Sequence, residues 1–331
     1  MAEPTQSLTA QVRPLDAGGL VVGAAFLGSE PTLALADGAV LIGEPGAQKR
    51  LVAHPDGAIL TVARDGDALL TGGDDGRVVR VLADGRLETI ADEKGRWIDA
   101  LSARAGAIAW SAGKQARARD QAGVVKSFTA PTTVRGLSFL PKGYRLALAH
   151  YNGASLWFPN AAAEPSVLEW KGSHLDVAPS PDGRFLVTSM QENALHGWRI
   201  ADSRNMRMTG YPGKTRSLAW SHDGNWLATS GADACVVWPF KDKDGPMGKP
   251  PRECGVRSSR VTQVAFHPRA LVVAIGYADG MVLLCRLVDA AEILVRQPGE
   301  GAVSALGWDA TGARLIIGLD SGVAGLLTLP A

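Results

Sequence analysis

A short segment recurs eight times along this chain, and this repetition constrains the fold more than any other feature. Each copy is built of small and apolar residues and ends in a turn that is usually rich in Asp, Asn or Gly. The copies are TLALADG at 32–38, LLTGGDDG at 69–76, IAWSAGK at 108–114, LALAHYNG at 146–153, LVTSMQEN at 186–193, LATSGADA at 227–234, VAIGYADG at 273–280 and LIIGLDSG at 315–322. A repeat of roughly 40 residues indicates structural units that stack on their neighbours.

Each copy is preceded by a predicted strand and followed by two more. The first strands start near Val21, Ala58, Trp97, Val134, His174, Thr215, Val261 and Val303. In the strand that starts at Val261, Val264 and Phe266 fall on one face, as expected for a period of two. Four strands per repeat predict an all-β fold, a single closed β-propeller of four-stranded antiparallel blades that spans residues 1–331. Eight copies favour eight blades, and seven is the alternative.

The two ends of the chain complement each other. The last repeat ends at Ala331 without room for a fourth strand, whereas residues 7–15, SLTAQVRPL, precede the first repeat. We therefore expect the N-terminal segment to supply the missing outer strand of the last blade.

Several segments resemble the WD40-repeat family. They are SPDGRFLVTS at 180–189 and SHDGNWLATSGADACVVW at 221–238, together with Trp157, Trp198 and Trp238, which close third strands. The Trp-Asp dipeptide that names the family is absent from these positions, and no repeat shows its full His–Ser/Thr–Asp–Trp set. The chain is thus similar to a divergent, stand-alone WD-repeat protein of bacterial type. The resemblance implies a non-enzymatic scaffold that binds a protein or peptide on one propeller face.

Composition excludes several classes of function. The formal net charge is +1, so the chain lacks a global basic field for nucleic acid. No apolar stretch is long enough to span a membrane. The three cysteines form no CxxC pair, so no structural zinc site is predicted, and Cys254 is expected to be more exposed than Cys235 and Cys285. We expect a cytoplasmic protein without a cofactor or metal.

Basic residues flank several first-strand starts. Because these starts should rim one end of the central channel, we expect a basic, partly aromatic surface that binds an acidic segment of a partner. The candidate residues are Arg96, Trp97, Arg135, Lys214, Arg216, Arg257 and Arg260.

The alternative function is a metal-dependent propeller hydrolase, similar to a lactonase, with its site at the channel mouth. That site would need three or four His, Asp, Glu or Asn side chains directed inward near one end. First-strand candidates are His174, Asp99 and Asp176. No motif for nucleophilic catalysis is present, so we predict no catalytic residues for the scaffold.

Overall fold

The computed structural model describes residues 7–330 and shows an all-β chain. These residues form thirty β-strands and one 3-10 helix, Thr9–Gln11. None of the described helical residues forms a helix long and apolar enough to cross a membrane. The strands build antiparallel sheets of the kind found in β-propeller blades, as predicted.

The chain folds as two compact units. The central unit comprises Val52–Gly210, and the terminal unit comprises the residues up to Leu51 together with those from Tyr211 onwards. The prediction of one domain over residues 1–331 stays a prediction, and the two units are described in turn.

The terminal unit contains four sheets of four strands each. Its last sheet combines β1 (Val12–Asp16) with β28 (Val303–Trp308), β29 (Arg314–Leu319) and β30 (Val323–Thr328). Another sheet contains β2 (Val21–Leu27), β3 (Glu30–Leu35), β4 (Ala39–Ile42) and β5 (Lys49–Val52). A third contains β20 (Leu218–Trp220), β21 (Trp226–Thr229), β22 (Cys235–Pro239) and β23 (Arg252–Cys254). The fourth contains β24 (Val261–Phe266), β25 (Val272–Tyr277), β26 (Val282–Arg286) and β27 (Glu292–Arg296).

The central unit contains three sheets. Two have four strands: β6 (Ile59–Asp65), β7 (Ala68–Gly73), β8 (Arg77–Leu82) and β9 (Leu87–Asp92); β10 (Ala100–Arg104), β11 (Ala107–Ala112), β12 (Gln115–Arg119) and β13 (Val125–Thr129). The third has six: β14 (Gly136–Phe139), β15 (Leu146–Trp157), β16 (Ser166–Pro179), β17 (Phe185–Met190), β18 (Leu195–Arg199) and β19 (Arg204–Met208).

The prediction of eight blades is therefore wrong, because the described chain has seven sheets. The repeats predicted to start at 134 and 174 share the six-stranded sheet. β15 and β16 run on where the repeat pattern places turns, and Tyr151 still pairs with Ser173 beyond the bulge at Gly153. Gly153 and Gly172 have φ of 142° and 132°. Such angles suit glycine, which lets both strands bend without ending the sheet.

The predicted N-terminal strand is confirmed. β1 pairs antiparallel with β30 from Val12, opposite Leu327, to Asp16, opposite Val323. Leu15, the fourth of its five residues, is buried in a cluster with Phe26 and Leu326. The outer strand of the last sheet thus comes from the opposite end of the chain.

The core lies between sheets, where bulky first-strand side chains pack. Phe26, Phe139 and Phe266 are buried there, each in a core cluster. Trp220 and Trp308 at the equivalent positions are partly buried. Burying one such side chain contributes about 1.5–3 kcal/mol, so these positions hold much of the stability of each unit.

Candidate functional site

Two of the predicted basic residues of the terminal unit, Lys214 and Arg260, lie near each other, and Arg216 follows Lys214 by two residues; these three are here called the basic patch. The guanidinium of Arg260 lies over Gly213, where Nη1 is 3.0 Å from the position that a Cβ would occupy. Arg260 therefore lies beside the residue that precedes Lys214. Arg216 and Arg260 are exposed, and within residues 7–330 neither they nor Lys214 form an ion pair. The patch therefore carries uncompensated positive charge.

Arg257, predicted for the same surface, is paired with an acidic residue. Its guanidinium donates to the Glu292 carboxylate at 2.6 Å, and its side chain is only 14% exposed. Its backbone N–H donates to the carbonyl of Asp233 at 2.9 Å. A neutralised, largely buried arginine offers little charge to a partner, so its contacts indicate a structural role.

On the central unit, Arg96 and Trp97 are exposed just before β10. Trp97 is 63% exposed, a large apolar surface for a soluble domain. Arg135 is also exposed, but its Nη1 forms an ion pair with the Asp99 carboxylate at 2.9 Å. The other oxygen of Asp99 accepts the N–H of Gly113 at 3.0 Å. Asp99 thus binds the turn between β11 and β12 and also binds Arg135.

The residues named for the metal-dependent alternative have structural partners. Nε2 of buried His174 lies 3.0 Å from the carbonyl of Trp170, which can only accept, so Nε2 carries the proton. Burial lowers the pKa of His174, and the neutral ring accepts the Thr188 hydroxyl at Nδ1, 2.7 Å away. Asp176 accepts the N–H of Val177 at 2.7 Å. Across residues 7–330, no three His, Cys, Asp or Glu side chains converge as metal ligands.

A buried hydrogen-bond chain in the terminal unit was missed by sequence reasoning. The indole N–H of Trp238 donates to the Tyr211 hydroxyl at 2.6 Å, and that hydroxyl donates to Thr229 at 2.6 Å. The Thr229 hydroxyl in turn donates to the carbonyl of Val236 at 2.9 Å. Every group in the chain is satisfied, so it stabilises its sheet and is not poised for chemistry.

Equivalent networks in the central unit start from other residue types. His54 lies 2.8 Å from the Thr71 hydroxyl and 3.0 Å from the Asp75 carboxylate. Glu93 accepts the indole N–H of Trp110 at 2.8 Å. The signal available in the sequence is the offset, since His54 precedes Thr71 by 17 residues, Glu93 precedes Trp110 by 17 and Tyr211 precedes Thr229 by 18.

A groove of about 680 Å³ opens on the central unit where β15 and β16 bend. We call it the β15–β16 groove. Its walls include Pro131, Tyr151, Glu169, Trp170 and Lys171. Sequence reasoning missed it because it treated Tyr151–Gly153 as an ordinary turn.

The three cysteines lie together in one core cluster of the terminal unit. All three are buried free thiols, so the expectation of a more exposed Cys254 is wrong. Cys254 is the last residue of β23, opposite Cys235 on β22, which brings it into the core. Burial raises the pKa of the Cys235 thiol well above its usual range, which makes it a poor nucleophile.

Comparison with known proteins supports the repeat architecture. The sequence profile described as "WD domain, G-beta repeat" matches residues 204–238. This chain thus carries a segment similar to repeats of the WD40 family. Whether it is a stand-alone protein of bacterial type remains a prediction.

Two curated WD-repeat relatives match over a short region. WD repeat-containing protein 1-B of Xenopus laevis is 37% identical over 84 residues, 24% of this chain and 14% of that protein. WD repeat-containing protein 1 of Mus musculus gives the same figures. The matched region spans only about a seventh of the length of either relative.

Two solved structures extend the likeness in fold to most of the chain. The computationally designed Ika8 protein superposes with a TM-score of 0.79 at 16% identity, over 96% of this chain and 98% of its own. The Neurospora crassa Pan2 WD40 domain superposes with a TM-score of 0.66 at 13% identity, over 84% of this chain and 92% of its own. At these identities the likeness shows the fold alone.

Proposed function

We propose that this WD40-repeat protein is a non-enzymatic scaffold that binds an acidic segment of a protein partner through the basic patch. The observation that carries the proposal is the arrangement of Arg260 over Gly213, beside Lys214, with Arg216 close by in sequence. Uncompensated arginines on a surface attract carboxylates over a distance of about 8–10 Å at physiological salt. Arg257 is excluded from the contact because Glu292 already neutralises it.

The exposed residues of the central unit support a second contact of the same kind. Trp97 presents a rigid aromatic surface next to the exposed cation of Arg96. Trp and Arg are the residue types that most often dominate the energy of protein interfaces. Arg135 is not part of this contact, because the Asp99 carboxylate already pairs with its guanidinium.

The class of partner follows from the balance of charge. Thirty-four Lys and Arg face 33 Asp and Glu, so the positive charge is local. A local patch suits an acidic peptide segment better than the long phosphate track of nucleic acid. All three cysteines are free thiols, as is common in proteins of a reducing compartment, and a cytoplasmic location is part of the proposal.

The test is charge reversal with a matched control. The double variant Arg216→Glu/Arg260→Glu should weaken partner binding by about tenfold or more, because each reversal replaces attraction by repulsion. The control Lys49→Glu/Arg269→Glu makes the same change in net charge at exposed residues of the same unit. Partners recovered by affinity purification from the native host are compared by quantitative mass spectrometry.

Three results would overturn the proposal. One is an unchanged set of partners with the basic-patch variant. Another is an equal loss with both variants, which would indicate a general effect of net charge. The third is binding that does not weaken as salt is raised.

A further inference from the structure

The β15–β16 groove is lined by aromatic side chains that remain accessible. Tyr151 is 50% exposed, and Trp170 is partly buried in the opposite strand. Pro131 and Val167 add apolar surface, and Val167 is exposed. Exposed aromatic and apolar groups that meet in one groove are uncommon on a soluble domain without a partner.

Trp170 is held in a fixed orientation from behind. Its carbonyl accepts the Nε2–H of His174 at 3.0 Å. Its ring stacks on His196, with centroids 4.0 Å apart and planes inclined by 16°. His196 is fully buried and none of its described neighbours accepts or donates a hydrogen bond to the ring, so it serves as packing surface. A rigid platform loses little conformational entropy when a ligand binds.

Two hydrogen-bond donors remain available at the groove. Within residues 7–330, neither the indole N–H of Trp170 nor the hydroxyl of Tyr151 has a hydrogen-bond partner, and Tyr151 is half exposed. A ligand whose carbonyl groups are free can therefore be bound by both rings.

The charges at the groove cancel. Glu169 and Lys171 are both exposed on β16, and in the described chain neither forms an ion pair. Recognition at this site therefore rests on aromatic surface and donors rather than on net charge. In this it differs from the basic patch.

We propose that the β15–β16 groove binds an uncharged proline-rich segment in the polyproline II conformation. Such a segment has apolar rings on its faces and carbonyls without internal hydrogen bonds. Aromatic grooves with ring donors recognise this combination, because the preformed helix loses little entropy on docking. The proposal goes beyond the binding of an acidic segment and involves different residues.

The test uses a fluorescein-labelled decaproline peptide and the full chain, with binding followed by fluorescence polarisation. We expect saturable binding, and no saturable binding of a Gly-Ser peptide of the same length. Tyr151→Ala should weaken binding by about tenfold, since it removes one aromatic wall and one donor. Trp170→Phe keeps the stacked ring but removes the N–H, and it should weaken binding less than Tyr151→Ala.

Two matched controls accompany these variants. Phe158→Ala removes an aromatic side chain that is 43% exposed on the same unit outside the groove, and it should leave the affinity unchanged. Glu169→Gln/Lys171→Gln should change the affinity less than twofold, because the charges of these two residues are not expected to contribute to recognition of the uncharged peptide.

Absent or equal binding of the two peptides would overturn the proposal. So would a loss with Phe158→Ala as large as that with Tyr151→Ala, or a large loss with the charge variant. Because Tyr151 is half exposed, its alanine variant should fold, and its melting temperature is measured to verify this.

Discussion

At the scale of single residues, the sheets depend on buried polar groups that complete each other. His54, Glu93 and Tyr211 occupy comparable places before three different sheets, and each bonds a residue on its second strand. Residues of three chemical types perform one task because the position requires only a polar atom at the correct distance. A sequence signature that requires one residue type at this position therefore does not detect these hydrogen-bond networks.

The Tyr211 hydroxyl is the central link of its chain. Tyr211→Phe leaves the Trp238 indole N–H without an acceptor and the Thr229 oxygen without a donor, in a buried site. We expect a loss of about 1–3 kcal/mol in the free energy of unfolding, measured by urea denaturation. Tyr151→Phe removes an exposed hydroxyl and should change that free energy by less than about 0.5 kcal/mol. Equal effects of the two variants would show that the buried hydrogen-bond chain contributes nothing to the free energy of unfolding.

At the scale of strands, the sequence predicted the local strand pattern and the pairing of the two chain ends, but it did not predict the six-stranded sheet. First-strand starts at 21, 261 and 303 agree with the structure because alternation of side chains is a local property. The shared six-stranded sheet could not be predicted, since it depends on pairing between Tyr151 and Ser173 and on the bends at two glycines. The same holds for the candidate site. Arg216 and Arg260 flank predicted strand starts, and both are exposed. The ion pair of Arg257 could not be predicted from local pattern, because its partner Glu292 lies 35 residues further along the chain.

The N-terminal strand should hold the last sheet together. Deleting residues 1–16 removes β1 and exposes the edge of β30 and its buried neighbours Phe26 and Leu326. We expect the melting temperature to fall by on the order of 10 °C in scanning calorimetry. A synthetic peptide of residues 7–17 should restore part of that loss, and the same peptide with Leu15→Asp should not. An unchanged melting temperature would show that β1 is dispensable.

At the scale of the whole chain, charge contributes less to stability than the apolar core. Several ion pairs join exposed side chains, such as Arg86 with Asp84 or Lys94 with Asp92, and water and salt screen the attraction in pairs of this kind. Three of the core clusters, in contrast, contain fully buried leucine, isoleucine and valine. Groups that are buried in the neutral form should add to the loss of stability in acid.

His196 is the clearest of these groups. Burial lowers its pKa from 6.5 to about 3, so the folded chain stays neutral there while the unfolded chain binds a proton below pH 6.5. The unfolded state then binds more protons, and the free energy of unfolding falls as the pH falls from 6.5 towards 3. Between pH 6.5 and 5 the loss from this residue is up to about 2 kcal/mol. His196→Phe retains a ring against Trp170 and should flatten this dependence in urea titrations, whereas His222→Phe, at an exposed histidine, should keep the wild-type slope. Parallel slopes for all three proteins would contradict the assignment of acid sensitivity to His196.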